Sequence, residues 1–128
     1  MNYLLDTHIF LWFIEDNKKL AHLVKQEISN LNNNIFLSKA TLWEIIIKTS
    51  IGKLELDKEL DEIEKAIAFY NLILLDINFS HLKKLFLLEH YHRDPFDRMI
   101  IAQAISEDLI VISDDPFFKQ YPVKLMKY

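Results

Sequence analysis

Residues 3–8, Tyr-Leu-Leu-Asp-Thr-His, set the pattern on which the rest of the chain is built. Residues 3–5 form a short apolar run of the kind expected for a buried strand, and the run ends directly at an acid, Asp6. An amphipathic stretch from about residue 8 to residue 15 follows and predicts a helix. A strand that passes through a polar residue into a helix is the building unit of α/β proteins.

The same unit recurs along the whole chain. Further short apolar runs predict four more strands, at residues 35–37, 72–75, 110–112 and 123–126. Stretches with helical spacing of apolar residues predict the intervening helices, at about residues 20–31, 38–51, 60–70, 82–86 and 94–107, with one more helical turn after Asp115. Ser38 and Asp94 are predicted N-caps, and Pro95 suits the first helical position. We therefore expect an α/β fold, a three-layer α/β/α sandwich with a mainly parallel central sheet of about five strands.

Composition excludes several classes of protein. The chain has 128 residues, 51% of them hydrophobic, which is too apolar for a disordered protein. Its apolar runs are too short to span a bilayer, and the amino-terminal residues lack the pattern of a signal peptide, so we expect a cytoplasmic protein with no membrane association. The absence of cysteine excludes disulfides and a thiolate zinc site. The formal net charge of −4 disfavours a simple nucleic-acid-binding module, but it is compatible with a nuclease whose carboxylates hold metal ions.

Four acids stand where a parallel α/β fold places its chemistry. They follow the first strand, lie within an apolar helical run, occupy the first turn of the helix after Pro95, and follow the fourth strand: Asp6, Glu44, Asp97 and Asp115. Ligands of such folds bind beyond the carboxyl ends of the strands, so we expect these acids to converge there. Carboxylates are the ligands that Mg²⁺ and Mn²⁺ prefer, and such ions promote cleavage of phosphodiesters.

Each acid also has a purely structural interpretation. Asp6 and Asp115 are plausible N-caps, and an acid at Asp97 suits the positive end of the helix dipole. Glu44 has Lys48 one helical turn later and can form a salt bridge with it. The case for a shared site therefore rests on the four acids together.

Four segments of the chain together resemble a known family. They are residues 4–8, 43–45, 92–98 (His-Arg-Asp-Pro-Phe-Asp-Arg) and 112–116. In order and spacing they resemble the PIN-domain ribonucleases, and most closely the VapC toxins of type II toxin–antitoxin pairs. The resemblance extends over essentially the whole chain and implies one PIN-like domain over residues 1–128.

The resemblance assigns roles to particular residues. It implies that Asp6, Glu44, Asp97 and Asp115 form the family's acidic quartet, which binds the metal and catalyses, with Ser113 as its small hydroxyl residue. Asp114 is the alternative for the fourth acid, and Arg98 is a supporting residue that can pair with a carboxylate or meet a phosphate. The family implies Mg²⁺- or Mn²⁺-dependent endonucleolytic cleavage of RNA, a homodimer, and inhibition by a cognate VapB-type antitoxin.

Other functions stay open at the level of sequence. A haloacid-dehalogenase-like phosphatase needs a second acid where His8 stands, whereas Asp76, which follows the third strand, leaves room for a receiver-like phosphotransfer domain. A non-catalytic PIN-like module that binds RNA or protein would use the acids only as caps and surface charge. His8, His90 and His92 are expected to be ordinary loop or helix-start residues. The candidate phosphate contacts besides Arg98 are Lys39, Lys48 and Lys53.

Overall fold

A computed structural model describes residues 1–128, and its centre is a five-stranded sheet in which every neighbouring pair is parallel. The strands are β1 (Asn2–Leu5), β2 (Asn34–Ser38), β3 (Ile73–Leu75), β4 (Ile110–Ile112) and β5 (Lys124–Leu125). The helices are α1 (Thr7–Ile14), α2 (His22–Ser29), α3 (Lys39–Ser50), α4 (Leu60–Phe69), α5 (Phe79–Leu87) and α6 (Pro95–Glu107), with a 3₁₀ turn over Pro116–Gln120. The predicted parallel α/β/α sandwich is confirmed.

The alternation of side chains along β1 divides the core into two layers. Tyr3 and Leu5 join a cluster that includes Phe10 of α1, Val24 of α2 and Ile63 of α4. The intervening Leu4 joins a second cluster on the opposite face, built from helix α6 and the segment around the 3₁₀ turn. Because successive residues of a strand face opposite sides of the sheet, a continuous apolar run is what a strand covered on both faces requires.

The predicted start of a helix is correct where an N-cap residue marks it. Boundaries predicted only from the spacing of apolar residues differ from those of the structure. Helix α6 runs from Pro95 with Asp94 as its N-cap, and α3 follows the N-cap Ser38, both as predicted. Helix α2 is shorter than its apolar spacing indicated: Leu20 precedes it, and Leu31 lies beyond it with 87% of its surface exposed. Strand β5 also covers only part of the predicted residues 123–126.

The order of the strands places a crevice at a defined point. Along the sheet the order is β3-β2-β1-β4-β5, so the chain moves outward from β1 in one direction to β2 and in the other to β4. The carboxyl ends of β1 and β4 flank the point where the order reverses, which is where parallel α/β folds bind ligands. No helix has the combination of length and apolar composition needed to cross a membrane.

Candidate metal centre

Asp6 lies at the carboxyl end of β1, in the crevice beside β4. Its backbone N–H donates to the carbonyl of Ile112 at 3.0 Å, which fixes the residue against β4. One side-chain oxygen accepts from the backbone N–H of Ile9 at 3.0 Å and caps α1, while the other accepts from the Ser113 hydroxyl at 2.5 Å. Asp6 is thus the predicted N-cap, yet its second oxygen faces the end of the neighbouring strand.

Glu44 enters the same end of the sheet from α3 and is 2% exposed. Its Oε1 accepts from the Thr7 hydroxyl at 2.5 Å, and its Oε2 accepts from the ammonium of Lys48. The salt bridge considered for this pair is therefore present. The ammonium also lies 3.5 Å from Asp94 Oδ2, so it joins α3 to the start of α6.

Asp97 occupies the first turn of α6, whose N-terminus points at the cluster. The Asp94 carboxylate accepts from the backbone N–H groups of Phe96 and Asp97, at 2.9 and 3.0 Å. This cap leaves the Asp97 carboxyl free to meet the His92 ring, with 2.8 Å between Oδ2 and Nε2. The ring of His92 in turn stacks on Phe117, with ring centroids 4.5 Å apart. His92 therefore links α6 to the 3₁₀ turn that begins after Asp115.

The acids are close enough for their charges to act on one another. Burial raises the pKa of Asp97 to about 7, against a hydrogen bond from His92 that lowers it, and the charges of Asp94, Glu44 and Asp6 raise it further. Burial also raises the pKa of Asp6, partly offset by its hydrogen bonds, and the charge of Asp115 adds to the rise. The protein thus concentrates several carboxylates in a region where each disfavours the ionisation of its neighbours.

One cation within the cluster opposes this repulsion. Partial burial works to lower the pKa of Lys48, but the hydrogen bond and charge of Glu44, together with Asp94, outweigh that effect and raise it. Lys48 is therefore held in its charged form inside the acidic site.

Asp115 and Asp114 occupy different environments. The Asp115 backbone N–H donates to the Ser113 hydroxyl at 3.0 Å, and its carboxylate caps the 3₁₀ turn by accepting from Phe117. The hydroxyl that holds Asp115 is the one that donates to Asp6. Asp114 is exposed, and its charge acts on the phenol of Tyr128, whose pKa is raised first by burial and then by Asp114. These contacts favour Asp115 as the fourth acid.

Arg98 lies away from the acids. It is 7% exposed, and its guanidinium donates to the carbonyl of Glu89 at 2.7 Å, to Tyr121 Oη at 3.1 Å and to the carbonyl of Leu88 at 3.4 Å. The predicted carboxylate pairing is absent, and these contacts commit its donors to the end of α5 and to the segment after the 3₁₀ turn. Its supporting role is therefore in the fold around the site.

Sequence reasoning underestimated two residues of the cluster. His92 was expected to be an ordinary loop residue, and nothing in its spacing revealed the contact with Asp97, since the loop that carries it has no periodicity. Lys48 was recognised only as an ion-pair partner of Glu44 or a surface phosphate contact. Its position four residues after a buried acid was the signal for an interior role.

The donor set fits a divalent cation of the hard class. Glu44 and Asp6 are almost fully buried, and the carboxylates of Asp94, Glu44 and Asp6 lie close enough to Asp97 for their charges to add to the rise in its pKa. One nitrogen and two carboxylate oxygens of His92, Asp94 and Asp97 also lie within 4.8 Å of one another. The carboxylate oxygens suit Mg²⁺ or Mn²⁺, and with no cysteine present a soft thiolate site is excluded.

The family model of the PIN domain matches residues 3–124, nearly the full length of the chain. The chain belongs to the PIN domain family. None of the curated protein sequences matches it. Solved structures show how closely this PIN domain follows the family's fold.

The solved structures that are similar to this chain include several VapBC proteins. Against VapBC2 of Rickettsia felis, bound to a DNA fragment of its promoter, the chain is 22% identical with a TM-score of 0.72, and 98% of each chain is covered. For VapBC-1 of nontypeable Haemophilus influenzae the identity is 19% and the TM-score 0.73, with 98% and 97% covered. VapBC-5 of Mycobacterium tuberculosis is a member of the VapBC family of toxin–antitoxin systems. Its sequence identity to this chain is 19% and the TM-score is 0.57, with 99% of this chain and 98% of the other covered. At these identities the likeness concerns the fold.

Proposed function

We propose that this PIN domain is a VapC-like toxin, a Mg²⁺- or Mn²⁺-dependent endoribonuclease whose metal ligands are Asp6, Glu44, Asp97 and Asp115. The observation that carries the proposal is the convergence of these acids at the crevice between β1 and β4. A set of helix caps alone would not need Glu44, which is buried within α3 and caps nothing. Lys48 supplies Glu44 with one counter-ion, but the charges of Asp94, Glu44 and Asp6 still act together on Asp97, and a metal ion held by these acids would offset that repulsion.

The protein's own residues supply positioning and proton transfer. The four acids would hold Mg²⁺ or Mn²⁺, which would supply activation of water and neutralisation of charge on the scissile phosphate. The hydroxyls of Thr7 and Ser113 orient Glu44 and Asp6 through their hydrogen bonds. Asp97, oriented by its hydrogen bond with the His92 ring, would hold the metal together with the other acids, orient the attacking water and accept its proton.

A cavity beside Asp115 supports RNA as the substrate. It has a volume of 600 Å³ and is lined in part by Ser113, Lys119, Lys127 and Tyr128. Lysine ammonium groups contact phosphates, and an exposed aromatic ring offers a face on which a base stacks. Single-stranded RNA can thus follow this cavity into the acids.

An apolar groove at the surface of the protein supports an antitoxin as a binding partner. The groove lies between α3 and α4 beside the edge strand β3 and has a volume of 240 Å³. Its lining includes the exposed side chains of Ile46, Leu60 and Leu74. Such a surface suits the apolar face of an amphipathic segment. We propose a VapB-type antitoxin as its occupant, since the VapBC neighbours include a toxin–antitoxin system, and a homodimer as the state of the toxin.

The decisive experiment compares two substitutions at acids near the same end of the sheet. Asp97→Asn should leave a folded protein that has lost Mn²⁺-dependent RNA cleavage by at least ~10²-fold, the usual scale for removing a general base. Asp76→Asn is the matched control, because Asp76 follows β3 but pairs with Lys39 at the surface. It should cleave like the wild type.

Cleavage is measured on total cellular RNA in Mn²⁺ and in EDTA, and growth on inducing each variant provides a second readout. If Asp97→Asn cleaved RNA at the wild-type rate, in a preparation free of contaminating nuclease, the proposal would be refuted. If the protein is a toxin, induction of the wild type should arrest growth, whereas induction of Asp97→Asn should not. Co-expression of a small neighbouring reading frame that encodes the antitoxin should restore growth.

A further inference from the structure

Lys48 is a lysine placed inside an acidic site. It lies on α3 one turn after Glu44, and its ammonium contacts Glu44 and lies 3.5 Å from Asp94 Oδ2. The Lys48 side chain is largely buried, with 30% of its surface exposed. Glu44 belongs to α3 and Asp94 is the N-cap of α6, so the ammonium of Lys48 lies between carboxylates from two different parts of the fold.

This contact occupies an oxygen that a metal ion would use. Glu44 has two side-chain oxygens, and Thr7 holds one while Lys48 holds the other. A divalent cation that ligates Glu44 therefore meets an ammonium already in contact with the carboxylate. Two cations within a few ångströms of one another repel strongly where water is largely excluded.

We propose that Lys48 is a built-in counter-ion that competes with the divalent metal for Glu44 and so sets the metal affinity of the site. The inference rests on the metal site proposed above. In the metal-free protein the ammonium keeps Glu44 from being a buried, unpaired charge. When a metal binds, Lys48 gives up this contact, and the cost of doing so lowers the affinity. Lys48 is a positioning residue, and it acts through Glu44.

Substituting an uncharged side chain separates this role from a merely structural ion pair. Lys48→Met removes the competitor, and it also leaves Glu44 buried without its partner. Without metal the variant should unfold at a lower temperature than the wild type. It should nevertheless bind Mn²⁺ about tenfold more tightly, because one repelling charge beside the cation is gone. A structural ion pair would give the first effect without the second.

The test is titration with Mn²⁺ by isothermal calorimetry, together with melting curves in EDTA and in Mn²⁺. Lys48→Arg keeps the charge and should bind Mn²⁺ like the wild type, whereas Lys48→Gln should behave like Lys48→Met and provides a second variant if Lys48→Met folds poorly. Lys65→Met makes the same change of net charge at an exposed lysine of α4 and should leave the affinity unchanged.

The gain in affinity should shrink as salt is added, because ions screen the repulsion. Tighter binding by both uncharged variants, with a larger Mn²⁺-induced rise in melting temperature, is the expected result. Unchanged or weaker binding by folded Lys48→Met or Lys48→Gln would overturn the inference. Failure of the wild type to bind Mn²⁺ would instead overturn the proposed metal site.

Discussion

At the scale of single residues, Asp97 determines how the site responds to pH. Its pKa is raised from 3.8 to about 7, so the folded protein holds this proton more tightly than the unfolded chain does. Between these two values a rise in pH ionises Asp97 in the unfolded chain before it does so in the folded one. Stability contributed by this residue is therefore lost as pH rises from about 4 to about 7 and stays lost above that.

Asp97→Asn should remove this dependence in metal-free protein. In EDTA, the melting temperature of the variant minus that of the wild type should grow as pH rises from 4 to 7 and then level off. The gain should amount to at least several degrees, since a shift of this size is worth more than about 1 kcal/mol and 1 kcal/mol corresponds to several degrees in a small domain. Saturating Mn²⁺ at pH 8 should reverse the order, because only the wild type is stabilised by the ion. Melting curves that differ by the same amount at every pH would contradict the assigned pKa.

At the scale of elements, Arg98 joins the helices that carry the site. It lies on α6, one residue after Asp97, and its donors meet the carbonyls of Leu88 and Glu89 at the end of α5. Leu88 is the C-cap of α5 and Glu89 follows it, so neither carbonyl has a partner within the helix, and the buried guanidinium supplies a hydrogen bond to each. A third contact, to Tyr121 Oη, ties α6 to the segment after the 3₁₀ turn.

Arg98→Met should therefore act on stability. The free energy of unfolding, from urea titration in EDTA, should fall by about 2–4 kcal/mol, the cost of removing charged hydrogen bonds from buried carbonyls. Arg93→Met changes an exposed arginine of the preceding loop and should stay within ~0.5 kcal/mol of the wild type. If Arg98→Met kept full stability but lost Mn²⁺-dependent cleavage, Arg98 would be a substrate contact after all.

The same elements show what a sequence can and cannot predict. Helix α6 was predicted to the residue because Asp94 and Pro95 define its start by local chemistry. The predicted C-terminal end of α2 was wrong, because Leu31 continues the helical spacing of apolar residues but has 87% of its surface exposed. Periodicity indicates which residues can share a face, and only tertiary packing decides which of them are buried.

At the scale of the whole molecule, the convergence of the acids follows from the parallel sheet. Asp6 and Asp115 both follow strands, and β1 lies beside β4, so the topology alone brings them together. Glu44 was predictable from its polar side chain in an apolar run. Lys48 and His92 were not assigned to the site, because their contacts depend on how α3 and the loop before α6 lie against it.

The topology also accounts for a charge balance that composition leaves unexplained. The chain has a net charge of −4, and part of its acidic charge is concentrated at the candidate metal centre. Several are held in one crevice with a single lysine among them, and the cavity beside Asp115 offers further lysines for phosphate. An acidic protein can in this way bind a polyanion, provided that a metal ion supplies the missing positive charge.

Calorimetric titration with Mn²⁺ of the wild type and of single amide variants at each acid shows whether the four acids form one metal site. We expect one saturable process in the wild type and an affinity at least ~10-fold lower in Asp6→Asn, Glu44→Gln, Asp97→Asn and Asp115→Asn, since each loses a charged oxygen ligand. The exposed Asp114→Asn should bind like the wild type. Absence of Mn²⁺ binding by the wild type, or wild-type affinity in all four variants, would rule out a metal site formed by these acids.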